Sequence, residues 1–417
     1  MNKYVGVLGI FAILGMAYLL SNNKKKIDKK VIMWGLSLQI FFALLILKVP
    51  GGKWIFDLID AFIKKILSFS VAGSKFLFGN LAAQEYFYPG ADTWPGFGFQ
   101  FAFVVLPTVI FFSSVMSVLY HLGIMQKIIK FISKIMQKTM GTSGAETTSI
   151  SANIFVGQTE APLVIRPFIN KMTNSELMAI MTGGFATVAG GVMAAYVLML
   201  SNTIPGIAGH LMAASIMSAP AALIIAKIIY PETSIPETAK GDVEITQISN
   251  EENFLEALGN GATDGIKLAI NIAAMLVAFI SVIAMINWTL SLIPFGGNIL
   301  SIEAILGYLF MPLAFLMGAP WSEAHVLGSL MGQKLVLTEF IAYDNLASQT
   351  NLSERTATIA AYALCGFANF ASIGIQLGGI GSIVPERKKD LAKIVTKAML
   401  GGALASWLTA TIAGILI

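Results

Sequence analysis

Charge is scarce in this chain. Charged residues fill 12% of its 417 positions, against about 25% in an ordinary soluble domain. Cysteine occurs once, as Cys365, so no intrachain disulfide can form and the redox compartment stays open. Three histidines are present, His121, His210 and His325, and they share no ligand spacing. That scatter argues against a histidine-built metal centre. The net charge of +4 is too small to suggest a nucleic-acid partner. What fills the sequence instead is apolar: 56% of residues are hydrophobic and the mean hydropathy is +0.76. A large soluble globule is excluded, and the chain reads as an all-α integral membrane protein.

A membrane-crossing helix needs about 20 apolar residues. About eight runs qualify, near 4–21, 31–48, 97–122, 175–201, 208–230, 264–292, 354–383 and 391–417. The first has little basic character before it and no small-residue cleavage site, so it reads as a span and not a signal peptide. The seventh holds Gly366, Asn369, Ser372, Gly374, Gln376, Gly378, Gly379 and Gly381, a density that predicts an interrupted helix. Lysines set the sidedness. With 24–30, 231–262 and 387–389 inside, both termini fall outside. The same count leaves Lys48, Lys53, Lys64 and Lys65 outside, around an amphipathic outer-surface segment from Trp54 to Phe69; the lysine rule gives no account of them. Residues 124–138 place Lys127, Lys130, Lys134 and Lys138 on one face and apolar side chains on the other. That pattern predicts a helix lying in the membrane interface.

Two stretches fit neither span nor loop. Residues 143–172 and 321–347 are too polar in the middle for a span and too apolar at the flanks for an aqueous loop. Each has the length of two half-membrane helices and a turn, a re-entrant hairpin, which survives at depth only when buried in protein or lining a wet cavity. The first is followed by GGFATVAGG, 183–191, and the second by GFANFASIG, 366–374. Glu160 to Thr187 spans 27 residues and Glu339 to Asn369 spans 30. The hairpins enter from opposite sides, so the repeat is expected to be inverted, the mark of secondary transporters with a midplane site. The chain then divides into scaffold spans (1–122), an interfacial helix (123–140), repeat one (141–230), a cytoplasmic loop (231–262), a scaffold span with an outer-face segment (263–320) and repeat two (321–417).

Ionisable groups at membrane depth are costly, and that makes them candidates for function. Glu160 lies in GQTEAP, 157–162. Gly157 permits a sharp turn and Pro162 suits a helix start, where backbone amides favour a carboxylate. Gln158 and Thr159 add donors and acceptors for a polar, uncharged ligand. Asn153, Thr187 and the carbonyls near Val156 and Val188 form a neutral oxygen set, which suits a monovalent cation better than calcium with its several carboxylates. In repeat two, Glu339 with Asn369 and Ser372 is equipment for vicinal hydroxyls. Lys334 lies five residues before Glu339. Phe367 and Phe370 flank Asn369, and aromatic faces stack on bases, although packing also accounts for aromatics in spans. His325 reads as a surface or interface residue.

Three motifs in order, GQTEAPL at 157–163, GxKxxxTEFxAY at 332–343 and GFANFxSIG at 366–374, resemble the concentrative nucleoside transporters. The likeness runs from about residue 97 onward. It implies a bacterial inner-membrane homotrimer that imports nucleosides by an elevator motion of the hairpin-bearing domain. It also implies that Gly157, Gln158, Thr159, Glu160, Val192 and Phe367 serve the nucleobase, and Glu339, Asn369 and Ser372 the ribose. Sodium, with no organic cofactor, is implied at Asn153, Val156, Thr187 and Val188. Two departures stand out. Thr338 replaces the Asn that many members carry, and Thr187 replaces an expected Ser while keeping the hydroxyl. The proton-coupled branch resembles Gln-Ser-Glu-Asn after the hairpin glycine; Gln-Thr-Glu-Ala-Pro here favours sodium. The alternatives are a proton-coupled symporter, a passive channel and, from another class, an intramembrane hydrolase using two glutamates. The last lacks an evident oxyanion donor or metal.

Overall fold

The structure, a computed structural model, describes residues 2–48, 50–87, 96, 98, 100–239, 243, 251–292, 294–295 and 298–417. It is helical almost throughout. The described strands are a two-residue antiparallel pair, Pro294–Phe295 with Asn298–Ile299.

The N-terminal region runs α1 (Asn2–Leu19), α2 (Lys29–Leu47), α3 (Pro50–Phe78), α4 (Phe101–His121) and α5 (Ile124–Met140). Repeat one follows as α6 (Gly144–Asn153), the short α7 (Arg166–Ile169), α8 (Asn174–Ala186), α9 (Gly190–Leu200) and α10 (Ile207–Ile229). Two helices intervene, α11 (Phe254–Ser291) and α12 (Ile302–Leu316). Repeat two is α13 (Trp321–Val336), α14 (Glu339–Ala347), α15 (Glu354–Leu364), α16 (Phe370–Ile383) and α17 (Lys388–Leu416). Each repeat thus reads hairpin, broken helix, unbroken helix. Side-chain caps cut the pieces. Ser143 with Glu146 and Thr173 with Glu176 form capping boxes at the starts of α6 and α8. Thr338, Ser353 and Asn369 cap α14, α15 and α16.

Among the described residues six stretches are long and apolar enough to cross a bilayer, α2, α4, α8 with α9, α10, α11 and α17, or seven if the bent pair α12 and α13 counts as one. About eight were expected. The apolar part of α1 is short, and the seventh run is divided into α15 and α16. Burial sorts the layers: α8 with α9, α10 and α17 form the interior, whereas only 17% of the α11 window is buried.

Several expected boundaries move. The amphipathic segment around Trp54–Phe69 belongs to one helix, α3, which runs nine residues beyond it. Asp60 on α3 accepts from the Ala208 and Gly209 amides at 3.0 and 3.4 Å, capping α10, and Lys64 pairs with Asp60 at 2.8 Å. Lys64 therefore has a packing reason to be where it is; the Lys53 side chain lies outside the described residues. The expected loop 231–262 is cut short because α11 begins at Phe254, capped by Asn253, while 240–242 and 244–250 lie outside the described residues. The segment after α11, expected on the outer face, contains α12, whose 15 residues fell below the span length and which turns 119° into α13. On α5, Met125, Ile129, Met136 and Met140 are buried against protein. Ile124, Ile128 and Phe131 remain exposed beside the four lysines.

Candidate functional site

The two hairpin turns and the two helix breaks meet at one cavity of about 410 Å³. Hairpin one supplies Gly157, Gln158, Thr159 and Glu160, hairpin two Thr338, Glu339 and Phe340, and the second break Phe367 and Asn369. Val192 and Ser372 line it from the restarted helices α9 and α16. All the residues expected at a base or a ribose therefore border one space. The fourth wall is α11, with Asp264, Lys267, Asn271 and Met275.

At hairpin two, α13 ends at Val336 and α14 begins at Glu339. Glu339 is 3% exposed. Its Oε1 accepts from the Tyr196 hydroxyl at 2.9 Å and its Oε2 from Asn369 Nδ2 at 2.7 Å. Asn369 Oδ1 accepts in turn from the Ser372 amide at 2.8 Å, so one side chain caps α16 and orients the carboxylate. A buried carboxylate held by two donors keeps lone pairs for hydroxyl donors entering the cavity.

Hairpin one is looser. After α6 the chain turns through 154–160 before a short 3-10 segment, Ala161–Ile165, with Pro162 at its start. Glu160 is exposed to the cavity, and its Oε2 accepts from the Gly157 amide at 2.8 Å. Gln158 Oε1 accepts from Gln376 Nε2 at 3.0 Å, and that same amide donates to the Met181 carbonyl. Hairpin one is thereby stitched to both α8 and α16.

The four residues of the expected cation set fall behind hairpin one, outside the cavity lining. Asn153 closes α6 and Thr187 follows α8. Val156 and Val188 lie in the adjoining non-helical stretches. A backbone bond from Gly190 N to Phe155 O, 2.9 Å, joins these stretches. Asn153 is 0% exposed, and neither its Oδ1 nor its Nδ2 has a hydrogen-bond partner. Leaving a buried amide unpaired costs about 1–3 kcal/mol, so something with charge or polarity belongs there. Thr187 Oγ1 donates to Gly183 O at 3.0 Å and keeps lone pairs free to accept. A neutral oxygen donor set with an orphaned amide fits a monovalent cation. His325 meets the Tyr308 ring edge to face, 4.5 Å between centroids, where α12 packs on α13 and outside the cavity lining.

Sequence reasoning missed four contributors. Tyr196 gives no motif signal, because its hydroxyl meets Glu339 only through the packing of α9 on α14. Gln376 was noted only as a helix interrupter. Asp264 and Lys267 were not singled out; they form a largely exposed salt bridge of 3.0 Å.

A helical membrane protein with two broken helices, in which polar side chains from two hairpin turns converge on one cavity, belongs to the class of secondary transporters. Comparison with known proteins narrows this. Residues 8–81 match the family described as Na+ dependent nucleoside transporter N-terminus, 210–414 its C-terminus, and 102–203 a domain described as Gate, nucleoside recognition. An uncharacterized transporter of Haemophilus influenzae is 43% identical over the whole chain and 98% of its own length. Sodium/nucleoside cotransporter 1 of Rattus norvegicus is 40% identical over the whole chain, which covers 64% of that protein. The structure of CNTnw in an inward-facing substrate-bound state superposes with a TM-score of 0.91 at 41% identity, covering 100% of this chain and 98% of the other. A CNTnw variant in an outward-facing state fits equally well, TM-score 0.91 at 40% identity, with the same coverage. The chain belongs to the family of Na+ dependent nucleoside transporters; it is a transporter and not an enzyme.

Proposed function

We propose that this protein is a sodium-driven symporter that brings nucleosides into a bacterial cell through the inner membrane. The observation that carries the reading is the pairing of a two-ended polar cavity with a buried, orphaned Asn153 on the same hairpin. Glu339, Asn369 and Ser372 bind the ribose hydroxyls. Gln158, Thr159 and Glu160 read the base edge, with Gly157, Val192 and Phe367 closing around the ring. Gln376 occupies the Gln158 carbonyl, which leaves the Gln158 amide N–H groups to donate to a base carbonyl.

Coupling follows from chain continuity. Sodium held by Asn153, Thr187 and the carbonyls of Val156 and Val188 fixes the stretch that leads directly into Gly157–Glu160. Binding the ion therefore shapes the base half of the site. Both hairpins are re-entrant and ride with the broken helices as one body. That body slides by an elevator motion past a scaffold that includes α11, with the repeats inverted across the membrane and three copies in the assembly. One charge moving through ~100 mV supplies about 2.3 kcal/mol, and a tenfold sodium gradient about 1.4 kcal/mol. One ion thus sustains roughly 500-fold accumulation.

Uptake of intact radiolabelled uridine into proteoliposomes, under separate sodium and proton gradients, tests this. Accumulation with sodium alone is expected. Uptake driven by protons alone and indifferent to sodium overturns the coupling assignment.

A further inference from the structure

Two half-helices end against each other in the interior. α8 stops at Ala186 and α15 at Leu364. Gly366 turns the chain just past the second stop with a φ of +107°, a conformation that suits glycine. A Cβ there would lie 2.6 Å from the Phe185 carbonyl oxygen and 2.8 Å from that of Ala186, so the two C-terminal ends are in direct contact. Each end presents carbonyls without intrahelical donors and a partial negative charge of about half an electron. Brought together away from water, the ends repel, and each needs positive charge.

The second end has its own. Lys334 is 0% exposed, and its Nζ donates to the carbonyls of Ala363 and Cys365, both at 2.9 Å. Its hydrogen-bond partners are backbone oxygens, not a carboxylate. The last turn of α8 packs on α6, where a Cβ at Gly183 would meet Ile150 at 2.7 Å, and α6 ends at Asn153, whose amide has no partner. The two positions correspond in the repeat: Lys334 lies five residues before Glu339, and Asn153 seven before Glu160. Each closes or nearly closes the first arm of its hairpin.

We infer that Lys334 is a tethered cation whose ammonium takes, in repeat two, the place that the coupling ion takes in repeat one. The inference rests on the sodium reading above for its second half. Lys334 fixes the end of α15, and with it the turn that carries Phe367 and Asn369 to Glu339. The ribose half of the site is thus assembled whether or not sodium is bound, and the base half alone waits for the ion. Lys334 is a positioning residue for nucleoside binding.

The test compares wild type with Lys334→Met and Lys334→Ala in proteoliposomes. Lys334→Met is expected to raise the uridine KM at saturating sodium by about tenfold, the loss of charged hydrogen bonds. Half-saturation of sodium-dependent thermal stabilisation, measured without nucleoside, stays at the wild-type value. Methylammonium, a small cation that fits the emptied space, restores uridine affinity to Lys334→Ala and does nothing for Asn153→Ala. A wild-type KM in Lys334→Met, or no methylammonium response in folded Lys334→Ala, overturns the inference. Should neither variant fold, the wild-type ratio of uridine to deoxyuridine affinity at low and at saturating sodium decides: a constant ratio supports a ribose half assembled without the ion, and a ratio that collapses at low sodium overturns it. Sodium-indifferent uptake by wild type sinks the coupling assignment and the stated equivalence, whereas methylammonium rescue of Lys334→Ala still shows the lysine acting through its charge.

Discussion

The two repeats place a glutamate at the same kind of turn and hold it in different ways. Glu339 is buried and fixed by Tyr196 and Asn369. Glu160 opens to the cavity and, among the described residues, is held by the Gly157 amide. The second break restarts under an Asn369 cap; the first restarts at Gly190 with no side-chain cap, its amide spent on Phe155 O. Lys334 covers the second carbonyl end, and Asn153 stands unpartnered at the first. Repeat two is completed by its own side chains, while repeat one leaves a buried amide without a partner. A ligand can shift an equilibrium only by binding one state better than the other. In the coupling proposed above, the unfinished half is where the ion gains that leverage, and the finished half supplies a constant grip on the substrate.

The sharpest way to break this comparison is Glu339→Gln. The substitution exchanges an acceptor held by two donors for an amide that must turn one N–H toward Tyr196 or Asn369. A hydrogen bond to a charged group contributes about 1.5–3 kcal/mol, so uridine affinity should fall roughly 10- to 150-fold. A nucleoside lacking the contacted hydroxyl should lose far less. Uptake kinetics with uridine, 2′-deoxyuridine and 3′-deoxyuridine, after checking surface expression, give the cycle. Equal losses for all three would remove Glu339 from the ribose.

Next in size are Asn153→Ala and Thr187→Val. Each removes one neutral oxygen from the cation set, so the sodium concentration for half-maximal uptake should rise about tenfold. The order of preference among nucleosides should not change. Titrating uptake against sodium in both variants checks this, and an unchanged half-saturation in both would remove the site.

Much of this asymmetry was hidden in the sequence, and the reasons are physical. The order of hairpin, broken helix and plain helix was legible in repeat two, because GFANFASIG crowds glycine and polar residues into a span; in repeat one GGFATVAGG passes for a plain span, and only the carbonyls expected near Val188 pointed to unwinding. Both breaks fall inside those motifs. The turn residues from Gly157 to Glu160, with Glu339 and Asn369, were legible as polar groups at membrane depth. α12 was not, since its 15 residues are too few for a span and its packing on α13 is a tertiary fact. The first three turns of α11 were missed because they are polar enough to pass for a loop. Tyr196 carries no local signal, and Lys334 stands in a motif that does not say what it binds. One hydroxyl in an apolar helix and one lysine near a glutamate gain meaning only from what lies opposite them.

A smaller effect is expected for Tyr196→Phe. It removes one donor to Glu339 and leaves the ring, which packs on Phe340 and Tyr343. A single hydrogen bond contributes about 0.5–1.5 kcal/mol, so uridine affinity should fall about two- to tenfold with sodium dependence intact. Combined with Glu339→Gln, the losses should be strongly non-additive, because the two groups act through one contact. Additive losses in that double-mutant cycle would show that Tyr196 serves something other than the carboxylate.

The smallest expected effect is that of Glu160→Gln, and it tests the comparison most directly. Glu160 has the charge of Glu339 but little of its fixation. An exposed carboxylate keeps its hydration and must be ordered when the base arrives, so its net contribution to binding is smaller than that of a buried, preset one. Replacing it should lower uridine affinity only a few-fold, about the value of one neutral hydrogen bond. Deoxy analogues should lose the same factor, because the sugar hydroxyls contact the other repeat. The loss should also depend on sodium. At saturating ion the hairpin is already shaped and the full effect is seen. At low ion the base half is unformed in both proteins, and the two should converge. Uridine KM for wild type and Glu160→Gln across a sodium series measures this. A constant ratio at every sodium concentration would mean that the ion does not organise hairpin one, and the division between a finished and an unfinished repeat would fail.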